Sequence, residues 1–314
     1  MEGSGFEVTP ENKEKVVVPS LAPQVVDQDF LDAMNPAAGQ FSSLEDMIKF
    51  AQNVLSPSSD SLLHEYQKDK WFKPVHAFDE DDWTEMGLMW EIVKTRDSNG
   101  RVRRVYWKLG AMAGHHAALA FHPGSGYAVI VLLAGHYPDA AKVAYEIIRV
   151  FQPSIDIVAA ETASELYAGT YTSTHNSQAD ATGENQVQVE QATKAVVSVR
   201  KGTLYLDTYL LAGIDVLQLF GAPPHKPLPL RPSGRAGEFR VDTGFPVFSH
   251  GDENGDGKSR FEGYNGEVHM GCYPYWNGQD LWGVGPEGAS VNVVVLDGEG
   301  AMRVPGVGVV LERV

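Results

Sequence analysis

The chain has 314 residues, an ordinary apolar fraction of 43% and a net charge of −16, enough length for about two domains that each bury a core. The negative charge works against unaided binding to phosphate backbones or anionic lipid, and the Lys and Arg residues are scattered, so neither nucleic acid nor a membrane is expected as a partner. No apolar run reaches the roughly 18 residues of a membrane span, and the opening MEGSGFEVTPENKEK lacks the apolar core of a signal peptide.

Residues 1–35 read as extended, turn-rich chain with one β-branched run at Val16–Val18. So long an irregular opening predicts a segment that lies on something else or belongs to the middle of a longer fold. Ser42 stands three residues before Glu45, which predicts a capping box. Leu44, Met47, Ile48, Ala51, Val54 and Leu55 follow as one apolar helical stripe. Residues 56–82 read as mixed loop with a short helical piece at Leu62–Tyr66. Met86–Ile92 reads as a strand that pairs with Val102–Lys108 through the turn Asp97-Ser98-Asn99-Gly100.

The densest patterning runs from Tyr106 to Ala134. A strand carries Lys108-Leu109-Gly110, a Gly- and His-bearing loop follows, and strands Ala117–Phe121 and Tyr127–Leu133 are joined by His122-Pro123-Gly124-Ser125-Gly126. The Gly and Pro of that link supply the backbone angles a hairpin needs. YAVIVLL is apolar on both faces and predicts a strand in the middle of a sheet. Pro138 suits a first helical turn, and Val143, Ala144, Ile147, Ile148 and Phe151 form a second stripe. Residues 86–151 thus predict an α+β arrangement, an antiparallel sheet with covering helices.

Composition changes near Pro153–Ser164, and from Tyr167 the chain alternates in short strands separated by Gly and Pro turns. Strands are expected at 187–199, 202–209, 237–243, 266–273, 291–296 and 306–313, which suits an all-β sandwich or barrel. The expected organisation is therefore 1–160 and 161–314. Cys272 is the single cysteine and there is no Asn-x-Ser/Thr acceptor. Both fit an intracellular, cytoplasmic protein as the sequence stands, and fit equally a secreted protein whose signal peptide lies upstream.

Three pieces of the first domain resemble the C-terminal part of β-lactamase-like serine hydrolases, the superfamily of class C β-lactamases and penicillin-binding proteins. They are Asn35-Pro36-Ala37-Ala38-Gly39-Gln40-Phe41-Ser42-Ser43 with its helix, Met86-Gly87-Leu88-Met89-Trp90, and Lys108-Leu109-Gly110 followed by Gly114 and Ala117–Pro123. Residues 165–313 resemble the β-rich domain appended to some fungal members, through Tyr167-Ala168-Gly169-Thr170-Tyr171, Glu238-Phe239-Arg240, Gly271-Cys272-Tyr273-Pro274 and Trp282-Gly283. The resemblance implies an ester or amide hydrolase without a cofactor. It assigns Lys108 and Gly110 to the third catalytic motif, K-T-G or H-T-G, and Leu109, Gly114, His115 and His116 to the lining of the substrate entrance.

The departures from the family pattern carry the functional expectation. The family's nucleophile is a Ser in S-x-x-K at the start of a helix, where the Lys one turn on can take its proton. The family also uses a Tyr or Ser in Y-x-N or S-x-N. One S-x-x-K exists here, Ser198-Val199-Arg200-Lys201, in a predicted strand where positions three apart face opposite sides. Tyr275-Trp276-Asn277 is a Y-x-N in the second domain with no helix before it. Leu109 stands where the motif has Thr and cannot donate the hydroxyl hydrogen bond that holds a substrate carboxylate.

Other constellations have plainer readings. His115, His116, His122 and His136 share no metal-ligand spacing, and adjacent histidines on an extended segment point apart. Asp252, Asn254 and Asp256 with Gly257 form the front half of a calcium loop, but loop position twelve is Gly263 rather than Glu, so a solvated acidic hairpin is the first reading. Tyr273, Tyr275, Trp276 and Trp282 suit the core of a β-domain.

Three functions follow, in order. The first is a truncated β-lactamase-related hydrolase, inactive alone, whose small ester- or amide-like substrate needs the missing half. The second is a binding protein whose exposed sheet face takes a protein partner. The third is an acyl-transfer accessory of secondary metabolism that uses Lys108 and the nearby histidines.

Overall fold

A computed structural model describes residues 2–19, 31–56, 61–173, 192–220, 222, 224–242, 248–249, 267–268 and 290–314. It divides into two compact units, Met1–Ile157 and Val158–Val314.

In unit one the elements run β1 (Ser4–Gly5), α1 (Leu31–Met34), β2 (Phe41–Ser42), α2 (Leu44–Leu55), α3 (Glu65–Trp71), β3 (His76–Phe78), β4 (Asp81–Met86), β5 (Glu91–Arg96), β6 (Val102–Met112), β7 (His115–His122) and β8 (Tyr127–Ala134). α4 (Ala140–Tyr167) follows, and the boundary between the units falls within it. Strands β3 to β8 form a six-stranded antiparallel meander in chain order.

Alternation along the strands gives the sheet two apolar faces. Val105, Trp107, Ala118, Ala120, Val129 and Val131 pack against Ala140, Ala144 and Ile148 of α4. Trp90, Ile92, Tyr106, Leu119 and Phe121 pack on the other side with Ala51 and Val54 of α2 and with Trp71 and Phe72. The second face is rich in rings: Trp90 lies 4.9 Å from Trp71, 5.7 Å from Phe72 and 5.5 Å from Phe121 between centroids.

Several expectations shift. The cap of α2 is Ser43, whose Oγ accepts from the Asp46 N–H at 3.2 Å, so the capping pair sits one residue later than Ser42 and Glu45. The reason is that Ser42 is taken up by β2, where Ser4 and Ser42 pair. Residues 86–92 are not one strand. Gly87 donates to the Trp90 carbonyl at 2.8 Å, which makes a tight turn between β4 and β5. The helical piece of the 56–82 region starts at Glu65 and runs to Trp71, later than Leu62–Tyr66. β8 is the last strand of its sheet and not a central one. Its two-faced apolarity comes from helices on both sides, α2 being the one packed beside it. α4 continues through Pro153 to Tyr167, past the expected end of the helix.

In unit two the strands are β9 (Gly169–Thr172), β10 (Lys194–Arg200), β11 (Thr203–Leu211), β12 (Ile214–Asp215), then α5 (Val216–Leu219), β13 (Leu228–Pro232), β14 (Glu238–Val241), β15 (Phe248–Ser249), β16 (Glu267–Val268), β17 (Val293–Leu296), β18 (Ala301–Val304) and β19 (Val309–Arg313). The sheet order is β10-β9-β19-β18-β17-β14-β13-β11-β12, and β10 also pairs with β11. That added pairing closes the sheet into an antiparallel barrel with β12 appended, which removes free edges. Its interior is filled by Tyr171, Ala195, Leu206, Tyr209, Val294, Leu296, Met302 and Leu311. Among the described residues no helix is long and apolar enough to cross a membrane.

Candidate functional site

The residues that carry the family resemblance meet at one end of the β6–β7 pair. Lys108 lies opposite Leu119, Leu109 opposite Ala118 and Gly110 opposite Ala117. Lys108 follows Tyr106 in alternation and so faces the α2 side, while Leu109 follows Trp107 and faces the α4 side. Lys108 is exposed, with its Nζ 3.1 Å from the Leu109 carbonyl and 3.5 Å from Glu91 Oε1. A Cβ added at Gly110 would meet only the Ala117 Cβ, at 3.6 Å. The fold therefore does not require glycine there, and its bare backbone leaves open space above the strand. Gly114 is different: its φ of +79° belongs to the left-handed region, so the β6–β7 turn itself needs glycine.

His115 and His116 lie on opposite faces, as alternation demands. His115 Nε2 sits 2.8 Å from the carbonyl of Val17, 98 residues earlier in the chain. The other end of that opening segment is held by Asp46, which is buried and accepts from the Gly3 N–H and the Ser4 hydroxyl, each at 2.8 Å. Residues 2–19 thus run between α2 and the third-motif strands, tethered at both ends.

At the far end of β7 is a buried polar cluster that the sequence reading missed. Asp156 of α4 accepts from the Ser98 N–H at 2.9 Å and the Ser98 hydroxyl at 2.7 Å. Gln152 Nε2 donates to Asp156 at 2.8 Å, and the Tyr127 hydroxyl donates to Gln152 Oε1 at 2.7 Å. His122 stacks on Tyr127 with centroids 5.0 Å apart and planes at 5°. The cluster ties the β5–β6 turn and the start of β8 to α4. The only sequence signals were a Gln and an Asp one turn apart on a face that should be apolar.

Burial pushes the His122 imidazole below its usual pKa, and burial pushes the Tyr127 phenol up to about 12. His122 is 1% exposed, and Arg103, Asp97 and Asp156 are the charged groups that act on it. Because the unfolded chain binds the proton more readily than the folded one, stability is present above the unfolded value of about 6.5 and falls as pH drops below it. Urea midpoints between pH 7.5 and 5 should decline for the natural chain, and the decline should be shallower in His122→Phe. Equal slopes in the two proteins would show that this imidazole does not couple to folding.

The S-x-x-K of the sequence lies in unit two. Ser198 is a mid-strand residue of β10 opposite Tyr205, and its Oγ accepts from Arg200 Nε at 3.3 Å. Lys201 has φ +48° in the β10–β11 turn. Asp252, Asn254, Asp256, Cys272, Tyr273, Tyr275, Trp276, Asn277 and Trp282 lie outside the described residues.

A family profile described as Beta-lactamase matches residues 6–151. The β-lactamase-like protein str6 of Strobilurus tenacellus is 36% identical over 225 residues, which is 71% of this chain and 70% of that protein. Among solved structures, the octameric penicillin-binding protein homologue from Pyrococcus abyssi matches with a TM-score of 0.38 and 16% identity, over 77% of this chain and 50% of that one. The chain therefore spans half the length of that homologue. With a relative of this identity aligned across most of both chains, the protein belongs to the β-lactamase-like family.

Proposed function

We propose that this chain supplies the third-motif wall of a β-lactamase-like ester or amide hydrolase site and by itself holds no nucleophile of the family's kind. The observation that carries this reading is the setting of Ser198-Val199-Arg200-Lys201. A serine nucleophile of this class needs a lysine one helical turn away to take its proton. Here the pair spans a β-strand and a turn with positive φ. Lys108 and Gly110 support the wall's role: the cation is exposed and the glycine leaves room above the strand. Leu109 points to an ester-like rather than a carboxylate-bearing ligand, since an aliphatic chain offers no hydrogen bond.

The test is turnover of a chromogenic ester and a chromogenic cephalosporin by the purified full chain. The expected rate is that of buffer with an equal mass of an unrelated protein. Turnover that disappears in Ser198→Ala would overturn the reading. Turnover that persists in Ser198→Ala and disappears in Lys108→Ala would place the chemistry at the third-motif strand instead.

A further inference from the structure

We propose that the outer edge of β8 is a strand-addition surface through which two copies of this chain pair antiparallel, extending the six-stranded sheet across a two-fold axis. This inference is independent of the hydrolase reading and would stand or fall without it.

The two edges of the sheet differ. β3 is three residues long and is followed directly by Asp79, Glu80, Asp81 and Asp82, so it is short and guarded by charge. β8 runs for eight residues, YAVIVLLA, with no Pro, Gly or ionisable side chain. Edges of that length are normally blunted by charge, proline or a bulge because their free backbone groups template another strand. Among the described residues nothing pairs with the outer side of β8.

The hydrogen-bond phase of the edge is fixed by the turn beside it. Gly135 donates to the Gly114 carbonyl at 2.9 Å, and the register continues through His115 with Ala134 to His122 with Tyr127. Bonded pairs alternate in an antiparallel ladder. The odd-numbered residues Tyr127, Val129, Val131 and Leu133 therefore bond inward to β7. Ala128, Ile130, Leu132 and Ala134 turn their N–H and C=O groups outward.

A second copy fits this edge for three reasons. An antiparallel pair made by a strand with itself is isologous and closed, so it stops at a dimer. Directly opposed residues must lie on the same face, which allows Ile130 to oppose Ile130 of the second copy and Ala128 to oppose its Leu132. That register sets small against large and uses only outward-facing residues. The neighbouring phase would oppose Ile130 to Leu132 and Ala128 to Ala134, crowding one site and leaving a gap at the other. The absence of charge matters too. In a chain of net charge −16, this stretch is one where two copies meet without opposing like charges. Leu132 is 43% exposed at the edge, and Leu44 and Ile48 on α2, the helix beside β8, are 50% and 43% exposed and widen the apolar strip.

The experiment is sedimentation velocity of the full chain over a dilution series, with backbone hydrogen exchange read at the two ends of the series. The expected result is a dimer that dissociates on dilution. The amides of Ile130 and Leu132 should be protected only in the dimer, and those of Val129 and Val131 at both concentrations. Leu132→Lys, at an exposed position that the fold tolerates, should abolish the dimer and leave the far-ultraviolet spectrum unchanged. Leu132→Pro removes an outward N–H without touching the ladder to β7 and should do the same. A monomer at every concentration, or a dimer that both variants retain, would overturn the proposal. So would protection of Ile130 and Leu132 that survives dilution, because another part of the same chain would then cover the edge.

Discussion

Asp156→Ala is expected to destabilise unit one by about 3 kcal/mol, because a buried acceptor disappears and its donors are left without partners. Asp156 is 4% exposed and receives the Ser98 N–H, the Ser98 hydroxyl and one Gln152 N–H. None of these can turn to water without opening the contact between α4 and the β5–β6 turn. Asp156→Asn keeps one acceptor oxygen and should cost about half as much, since charge-assisted bonds are roughly twice as strong as neutral ones. Trp71, Trp83, Trp90 and Trp107 all lie in unit one. Tryptophan fluorescence in a urea titration therefore follows this unit. A loss under about 0.5 kcal/mol, the level of an ordinary surface change, would mean that the cluster does not hold the helix.

Trp90→Ala should cost about 4 kcal/mol, the upper range for an emptied aromatic site. Trp90 is 0% exposed and is ringed by Trp71, Phe72 and Phe121. The informative control is Trp90→Phe. The indole Nε1 is buried without a hydrogen-bond partner, so shortening to Phe loses volume but also relieves an unsatisfied donor. The expected cost is then about 1 kcal/mol. A Phe variant as unstable as the Ala variant would mean that the indole N–H is satisfied in solution, for example by a trapped water.

The meander was legible in the sequence because its turns are chemically explicit. Asp97-Ser98-Asn99-Gly100 and Pro123-Gly124-Ser125-Gly126 each contain residues that few other conformations favour, and both sit where the structure turns. The closed second unit was legible only as a class. β13 passed unread because Leu228–Pro232 carries two prolines, a composition that argues against a strand unless its partners are known. The third-motif residues were found because their order and spacing are local. The cluster of Ser98, Tyr127, Gln152 and Asp156 was not, since it is assembled from three separate segments and no one of them carries its pattern. The edge position of β8 was hidden for a similar reason: a strand covered by helices on both sides has the same composition as a central one, and only pairing distinguishes them.

The barrel's pairing of β9 with β19 bears on the order in which the molecule comes into being. Arg313 lies opposite Tyr171, and its guanidinium reaches back to the carbonyl of Glu165, 148 residues away. Unit one is built from neighbours in sequence, so each hairpin can settle as it leaves the ribosome. The second unit has to wait. Until Val309–Arg313 has been made, β9 and β18 stand as two open margins of an unfinished ring, and closing it needs a contact between distant parts of the chain. The interval between the birth of β9 and the arrival of β19 is when this protein most needs protection from its neighbours.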